Sequence, residues 1–232
     1  MKVSDLLRDL ALGELSNLAL SETGSVATER IPQIVLYANE ALYRIYTRFC
    51  LKEQDLVLAL HGHITYYHFL PRFTYSRHEE YGEKFPYIMD TAADPFMEDV
   101  VKVLTVYDSF GQRLPVNDAE LPNSVFTPQP NMLFVPNPSR ANRLVVTYQA
   151  AHPKLSHEAL EDEIELPAHL ISSLKAYIAF MHYSNLNTQE GQAIASGHLA
   201  KYESECTEVL NQDLVSTSVI TTNTRFEKRG FV

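Results

Sequence analysis

Two histidines separated by one glycine, His61 and His63, are the residues in this chain best suited to chemistry. In a strand, side chains two positions apart project from the same face, so these two imidazoles could bind one metal ion. A third ligand could come from a nearby side chain, namely His68, Glu79 or Glu80. The chain contains nine histidines, however, and Gly62 favours a turn that would separate the pair. We therefore expect no metal here, and we keep a metal-binding β domain or a metal-dependent enzyme as the alternative function.

Other residues with chemical potential do not form a recognisable catalytic pattern. Four acids cluster around Pro95 but lack the alternating spacing and central glycine of a calcium loop; they are Asp90, Asp94, Glu98 and Asp99. His152, Ser156 and His157 are neighbours only in sequence, and nothing in their pattern supports a triad. The sequence has no nucleophile elbow, phosphate-binding loop or dinucleotide fingerprint. We therefore predict no catalytic residues, no bound metal and no cofactor, and a protein that is not an enzyme.

The last third of the chain, residues 166–214, has the apolar spacing of two helices joined by a short connection. Pro167 lies in the first turn of the first helix, where its missing N–H is tolerated. Asn187, with Glu190 three positions later, predicts a capping-box start for the second helix. The predicted buried faces comprise Leu170, Leu174, Tyr177, Ile178 and Met181, then Ala195, Leu199, Tyr202, Cys206, Val209 and Leu210. The opposite side of the second helix carries Lys201, Glu203, Glu205 and Glu208. Because the connection is short, we expect antiparallel neighbours.

Two further helices are predicted near the start of the chain. Ser4 is predicted to cap a short helix over 5–12, and Ile31-Pro32 begins a longer helix that continues through Phe49. The buried stripe of the longer helix is predicted to be Ile34, Ala38, Ala41, Leu42, Ile45 and Phe49. An amphipathic helix needs a partner for its apolar face, so we expect this helix to pack against the helices at the other end of the chain.

Between these helical parts the hydrophobic period changes from 3.6 to 2, which indicates strands. The clearest strand is 100–107, followed by a turn and a second arm through Leu114 and Val116. Further strands are predicted at 56–60 and 64–69, as a hairpin turning at Gly62, and at 132–135 and 143–149. Five prolines between Pro122 and Pro138 exclude a helix there.

The predicted fold class is α+β, mainly α: a bundle of three or four helices with an inserted small β-rich domain and an extended C-terminal arm. The predicted boundaries are 1–50 for the first helical part, 51–160 for the β-rich insertion, 161–214 for the helices that complete the body, and 215–232 for the arm. The arm is rich in Ser, Thr and Val and carries Phe226 and Phe231 near its end. It is either a frayed terminus or a segment that lies along a neighbouring subunit.

Composition limits the partners. The chain has 232 residues and a net charge of −10, with 29 acidic against 19 basic residues, which argues against tight binding to nucleic acid phosphates. No apolar run approaches the roughly 18 residues of a membrane span, and no signal sequence is evident, so we expect a cytosolic protein that binds no membrane. Cys50 and Cys206 lie among apolar neighbours and are expected to be packing residues rather than a disulfide.

Several segments together resemble one known family. They are Ser4-Asp5-Leu6-Leu7-Arg8, Ile31-Pro32-Gln33 through Tyr46-Thr47-Arg48-Phe49, the helix beginning at Leu166-Pro167, the long helix over 188–214, and Asn223-Thr224-Arg225-Phe226. These segments resemble the head-to-tail adaptor proteins of short-tailed bacteriophages, also called the tail tubular protein A or connector family. The resemblance covers both ends of the chain well and the β-rich insertion only loosely.

The resemblance implies a structural virion protein that forms a homo-oligomeric ring of about 12 copies below the portal ring of the capsid. Such a ring extends the channel used in DNA ejection, lets the genome pass without specific binding, and offers a platform for the tail nozzle. The helices would form the ring wall, and the C-terminal arm would insert against the portal protein. The implied portal-binding residues are Val219, Ile220, Thr222, Asn223, Arg225, Phe226, Arg229, Phe231 and Val232. The expected location is the phage neck, after assembly in the host cytoplasm; another neck or tail-completion protein is a further alternative.

Overall fold

Helices occupy both ends of the described chain, and strands occupy its middle. The structure is a computed structural model that describes residues 1–16, 26–138 and 143–215. The fold is α+β: four α-helices accompany two antiparallel sheets in this part of the chain. Residues 1–51 and 152–215 form one compact unit, called here the helical unit, and residues 52–151 form a second, the β unit.

The helical unit contains α1 (Val3–Leu12), α2 (Ile31–Arg48), α3 (Ile171–Ser184) and α4 (Gln189–Asn211). Short 3₁₀ turns at Thr28–Arg30 and Ala168–Leu170 lead into α2 and α3. The β unit contains β1 (Glu53–Ala59), β2 (Tyr66–His68), β3 (Val100–Tyr107), β4 (Arg113–Leu114), β5 (Phe126–Gln129), β6 (Met132–Phe134) and β7 (Arg143–Ala150).

Helix α1 begins two residues earlier than predicted, so the capping role assigned to Ser4 was wrong. The backbone N–H of Ser4 donates to the carbonyl oxygen of Leu160 at 2.9 Å, and Val3 makes a similar bond to Asp162 at 3.1 Å. These bonds satisfy the first N–H groups of the helix from another segment, which a sequence pattern cannot show. The Asp5 carboxylate accepts the N–H of Lys2 at 3.4 Å, which closes the first turn.

Helix α2 has the predicted buried stripe. All six predicted residues are buried, and Phe49 follows the last helical residue with its side chain still in the core. Helix α3 packs against both α2 and α4, as expected for helices separated by the inserted strands. The Tyr177 ring of α3 lies 5.1 Å from the Tyr202 ring of α4, and the Arg44 guanidinium of α2 lies 5.4 Å from the Tyr177 ring centre. One hydrophobic core therefore connects residues from both ends of the chain.

The start and the faces of α4 differ from the prediction in detail. Thr188, not Asn187, is the N-cap, and its hydroxyl oxygen accepts the N–H of Gly191 at 3.0 Å. Asn187 instead takes a positive φ of 52° in the connection, a conformation that asparagine tolerates better than most residues. Leu210 is 52% exposed rather than buried, because it lies at the edge of the apolar face. Met181 of α3 and Leu199 of α4 are half-buried.

Glu205 was assigned to the solvent face of α4, but it faces α3. Its two carboxylate oxygens accept hydrogen bonds from Ser172 and Ser173, at 2.7 and 3.1 Å. The serine hydroxyls at the start of α3 thus satisfy a carboxylate that the helical period alone places near the boundary of the polar face.

The strands form two sheets with the orders β1-β7-β3-β4 and β2-β6-β5. The predicted hairpin at Gly62 is wrong, because β1 and β2 belong to different sheets. Strand β1 pairs with β7 from Glu53 opposite Gln149 to Ala59 opposite Arg143. Its other edge bonds to a nearby segment, with Ala59 N–H donating to Tyr87 and Met89 N–H donating to Val57, both at 2.8 Å. No edge of β1 is left for β2, which pairs with β6 instead.

Strands β3, β4, β6 and β7 fall where strands were predicted, whereas β5 was not predicted. Strand β3 has the predicted bounds and pairs with β4 across the turn that begins at Asp108. Pro128 lies in β5, which is an edge strand, as expected for a residue that cannot donate a ladder hydrogen bond. A separate hydrophobic core fills this unit; its fully buried members include Leu58, Tyr67, Ile88, Val106, Leu133 and Val146.

Candidate functional site

His61 and His63 lie in a turn rather than in a strand. The N–H of Ile64 donates to the carbonyl oxygen of His61 at 2.9 Å, which closes the turn. The two imidazole ring centres are 5.9 Å apart, and both rings contact Phe85. The Nε2 atom of His61 is 3.2 Å from the carbonyl oxygen of Pro86, which can only accept a hydrogen bond. The pair is close, but an aromatic ring rather than a ligand group lies beside it.

The suggested third metal ligands are not brought to this pair. His68 lies on β2, where its ring stacks on Phe73 with the ring centres 6.5 Å apart. Glu79 and Glu80 belong to the irregular segment after Phe73 and are exposed. Among the described residues, no group of three or more His, Cys, Asp or Glu side chains is arranged to hold a metal ion. The structure therefore gives the metal-site alternative two possible ligands at most.

Two of the acids around Pro95 make hydrogen bonds within the β unit. The Asp90 carboxylate accepts the N–H groups of Ser76 at 2.9 Å and Phe96 at 3.1 Å. Asp99 is bonded to the Tyr148 hydroxyl at 2.9 Å, and burial raises the pKa of this carboxyl group. Glu98 lies in a tight bend with a φ of 57°. Asp90 and Asp99 are therefore hydrogen-bonded within the protein rather than arranged as calcium ligands.

His152, Ser156 and His157 do not form a catalytic group. His152 Nε2 accepts the N–H of Glu165 at 3.0 Å, and its ring contacts the edge of Tyr46 at 5.4 Å. The hydroxyl of Ser156 accepts the N–H of Glu158 at 3.2 Å. His152 and Ser156 thus accept hydrogen bonds from backbone N–H groups in the segment that returns to the helical unit.

One histidine each of α3, α4 and the 3₁₀ turn before α3 lies in a different environment. His169 is exposed, and His198 stacks on Tyr183 with ring centres 5.5 Å apart. His182 is buried beside Tyr37, and its Nδ1 atom has no hydrogen-bond partner within the described ranges. Burial, reinforced by the positive charge of Arg30, lowers the pKa of His182. The sequence did not identify His182 as unusual, because only the structure shows that its nitrogen is left unpaired.

Cys50 and Cys206 are not joined by a disulfide. Cys206 is fully buried in the helical core, as predicted, and burial raises the pKa of its thiol. Cys50 is half-buried at the end of the segment that follows α2. Burial keeps Cys206 from the accessible environment of a reactive cysteine.

A cleft of about 420 Å³ opens in the β unit. Its apolar lining comes from Leu60, Leu114, Val125, Phe126, Val135 and Leu144. Asp108 is the one ionisable residue among its described lining, and its carboxylate accepts the N–H groups of Phe110 at 2.9 Å and Gln112 at 2.8 Å. This carboxylate accepts two backbone hydrogen bonds in a turn, so the described lining offers no second ionisable group to pair with it.

The solvent side of α2 carries large apolar side chains that the sequence reading overlooked. Leu36 is 65% exposed and Tyr43 is 57% exposed. They are seven positions apart, two helical turns, and lie opposite the buried stripe of the helix. Their exposure could have been predicted from the sequence, because neither residue occupies a position of the buried stripe of α2.

The portal-binding residues expected in the arm, from Val219 to Val232, lie outside the described residues. No helix in the described parts of the chain is long and apolar enough to cross a membrane. No protein-family model matches the chain, and the search of curated proteins found no significant match.

Proposed function

We propose that this protein is a structural head-to-tail adaptor of a short-tailed bacteriophage. It forms a ring of about 12 copies below the portal, extends the DNA channel and carries the tail nozzle. The observation that supports this proposal most directly is the helical unit itself. Four of the five segments that carry the resemblance lie in the described ranges and come from both ends of the chain, yet they pack around one core. They therefore act as one body, as a ring wall requires.

We further propose that the helices form a bundle and that the β unit is a domain inserted in its sequence. In the ring, the bundle is the wall, and the insertion predicted over 51–160 faces outward or toward the tail. The segment 215–232 is the arm that binds the portal, with Phe226 and Phe231 as its apolar anchors. Burying one phenylalanine contributes on the order of 2 kcal/mol, so a single arm is weak and the ring supplies the avidity.

The charge of the chain is consistent with a channel through which DNA slides. A net charge of −10 disfavours persistent binding of phosphates, whereas a DNA-gripping protein needs a basic surface. Asp90, Asp108 and His152 accept hydrogen bonds from backbone N–H groups, which favours assembly over catalysis as the role of this chain. The protein then acts in the neck of the virion after assembly in the host cytoplasm.

Native mass spectrometry of the protein mixed with the portal ring from the same genome tests this proposal. We expect about 12 bound copies per portal. A chain ending at Leu214 should keep its fold, checked by circular dichroism, and lose portal binding. A Phe226→Ala, Phe231→Ala double variant should also lose binding, whereas Phe110→Ala, which removes an exposed ring from the β unit, should bind normally. A portal ring that binds no copies of the intact chain would refute the adaptor function.

A further inference from the structure

The cleft of the β unit is lined by residues of both sheets. The four-stranded sheet contributes Leu114 and Leu144, and the three-stranded sheet contributes Phe126. Beside Phe126, the N–H of Val125 donates to the carbonyl oxygen of Pro115 at 2.9 Å, which fixes the segment between β4 and β5 at this wall. The cleft volume of about 420 Å³ falls in the range of roughly 300–1,000 Å³ that binding pockets have. The cleft can therefore receive a large side chain together with some flanking backbone.

Apolar and acidic residues occur together around this cleft. Leu121 belongs to the lining and is 49% exposed, so apolar surface reaches solvent here. Asp108 is also in the lining, and no Lys or Arg is among the described lining residues. Asp118 and Glu120 flank a further lining residue, Ala119. An aromatic side chain carried on a basic segment has the chemistry that matches such a cleft.

The chain itself contains a segment of this kind at its end. Residues 216–232 lie outside the described residues, and their sequence has one acidic side chain, Glu227, within a cluster of basic and aromatic ones. The members of that cluster are Arg225, Phe226, Lys228, Arg229 and Phe231. Opposite charges attract at short range, and a phenylalanine buries a large apolar area. The segment therefore complements the cleft both in charge and in apolar character.

We propose that, in the free protein, residues 225–232 of each copy dock in the cleft of the same copy's β unit. A phenylalanine ring enters the apolar lining, and the neighbouring basic side chains face Asp108, Asp118 and Glu120. The 17 residues 216–232 can span about 56–61 Å, whereas a domain of 100 residues has a radius of gyration of only about 13 Å. The same copy is the source of the segment because a tethered segment is present at a millimolar effective concentration.

Docking holds the arm back until a portal ring is present. This consequence rests on the proposed function, in which Phe226 and Phe231 are also the portal anchors, whereas the docking itself does not. A ring that lies in the cleft cannot contact the portal at the same time. The apparent affinity for the portal is then reduced to the fraction of molecules whose arm is free, so docking in about 90% of molecules lowers it about tenfold. Free copies thereby keep apolar rings covered before assembly.

Tryptophan fluorescence of the full chain tests the docking, because the natural sequence contains no tryptophan. Phe226→Trp and Phe231→Trp each place a single reporter in the arm. We expect at least one reporter to emit at shorter wavelength, and to be quenched less by acrylamide, than the same reporter in the urea-unfolded chain. Its emission should not change on dilution, because the contact lies within one copy.

Variants of the lining show whether the reporter lies in this cleft. Leu121→Arg places a long, positively charged side chain in the lining, so it should shift the emission toward that of the unfolded chain. Ala119→Arg, at another exposed lining position, should do the same. Met97→Arg is the matched control, because Met97 is 64% exposed in the β unit and is not among the described lining residues. It should leave the emission unchanged, and circular dichroism checks that all three variants fold.

The inference is overturned if both reporters are as accessible in the folded chain as in urea, or if the shift disappears on dilution, which would place the contact between copies. It is also overturned if Met97→Arg releases the reporter as fully as the two lining variants do.

A titration with the portal ring separates this inference from the proposed function. With the natural arm, Leu121→Arg should bind the portal more tightly than the unaltered chain, by up to about tenfold. Portal binding by a chain whose reporters are exposed refutes the docking and leaves the adaptor function standing. Reporters that are buried and then released by Leu121→Arg, in a chain that binds no portal, support the docking and refute the adaptor function.

Discussion

The Tyr148 hydroxyl in the β unit is shared by two acceptors. It lies 2.9 Å from Gln54 Oε1 and 2.9 Å from Asp99 Oδ1, but a tyrosine has only one hydrogen to donate. Burial raises the pKa of the Asp99 carboxyl group, so the protonated form, which can donate a hydrogen to the Tyr148 hydroxyl oxygen, is more favoured in the folded chain than in the unfolded one. Because the folded state then binds a proton more tightly than the unfolded state, the stability that this group contributes decreases as pH rises above its ordinary pKa of 3.8.

We predict that Asp99→Asn leaves the free energy of unfolding at pH 7 unchanged or raises it by about 1 kcal/mol, because an amide donates without a proton from solvent. Asp90→Asn is the matched control. Its carboxylate accepts two backbone N–H groups, so the same change should destabilise the protein by about 1–3 kcal/mol. Urea denaturation of both variants measures the difference, and an Asp99→Asn variant less stable than Asp90→Asn would contradict this interpretation.

His182 makes the stability of the helical unit depend on pH. Its folded pKa is lowered by burial and by Arg30, whereas the unfolded chain has the ordinary value of 6.5. The stabilisation is therefore complete above pH 6.5 and is lost as pH falls from there toward the folded pKa. We predict that the urea midpoint drops between pH 7.5 and 5.5, and drops less in His182→Gln, which cannot be protonated. Equal drops in both proteins would assign the pH effect to other groups.

At the scale of single elements, the two glycines of α4 have opposite surroundings. A Cβ on Gly191 would lie 2.9 Å from Thr188 Oγ1, 3.0 Å from the Tyr183 carbonyl oxygen and 3.2 Å from Leu186 Cβ. The missing side chain of Gly191 therefore allows the first turn of α4 to lie close to the end of α3 and to the connection between them. A Cβ on Gly197 would point into open space.

We predict that Gly197→Ala raises the free energy of unfolding by about 0.5–1 kcal/mol, because alanine has the higher helix propensity. Gly191→Ala should lower it by about 1–3 kcal/mol through overpacking. Thermal or urea unfolding of the two variants provides the comparison, and each is the control for the other because both add one methyl group to the same helix. A stabilising Gly191→Ala would show that the start of α4 relaxes more easily than its contacts suggest.

The sequence predicted elements better than their ends and their partners. The bounds of β3 and the buried stripe of α2 follow from local periodicity, which is complete within one segment. The start of α1 depends on bonds to residues near 160, and the separation of β1 from β2 depends on the segment around Tyr87. These partners are distant in sequence, so no local pattern contains them. The exposure of Leu36 and Tyr43 could be predicted from the helical period of α2 alone. The hydrogen bonds of Glu205 to two serines of α3 could not, because they join residues of two different helices.

At the scale of the whole molecule, the β unit has the features of an independent domain. It has its own hydrophobic core, and its first and last strands, β1 and β7, are paired. The N–H of Ala150 donates to the carbonyl oxygen of Lys52 at 2.9 Å, so the chain enters and leaves this unit at one place. We predict that residues 52–151 expressed alone fold cooperatively, with a β-type circular dichroism spectrum and a sharp urea transition. Leu58→Asp, which places a charge in that core, should abolish the transition. A gradual transition in the unaltered fragment would show that the unit depends on the helices.

Because the helical unit is built from two separated parts of the chain, its helices are synthesised at different times during translation. Helices α1 and α2 leave the ribosome first, but α3, against which α2 packs, is made only after the entire β unit. At about 5–20 residues per second, the apolar stripe of α2 waits on the order of ten seconds for its partner. The β unit, whose strands pair among themselves, can fold during that interval. Chaperones that bind nascent chains can therefore protect the exposed apolar stripe of α2 during this interval. The interval ends when α3 emerges.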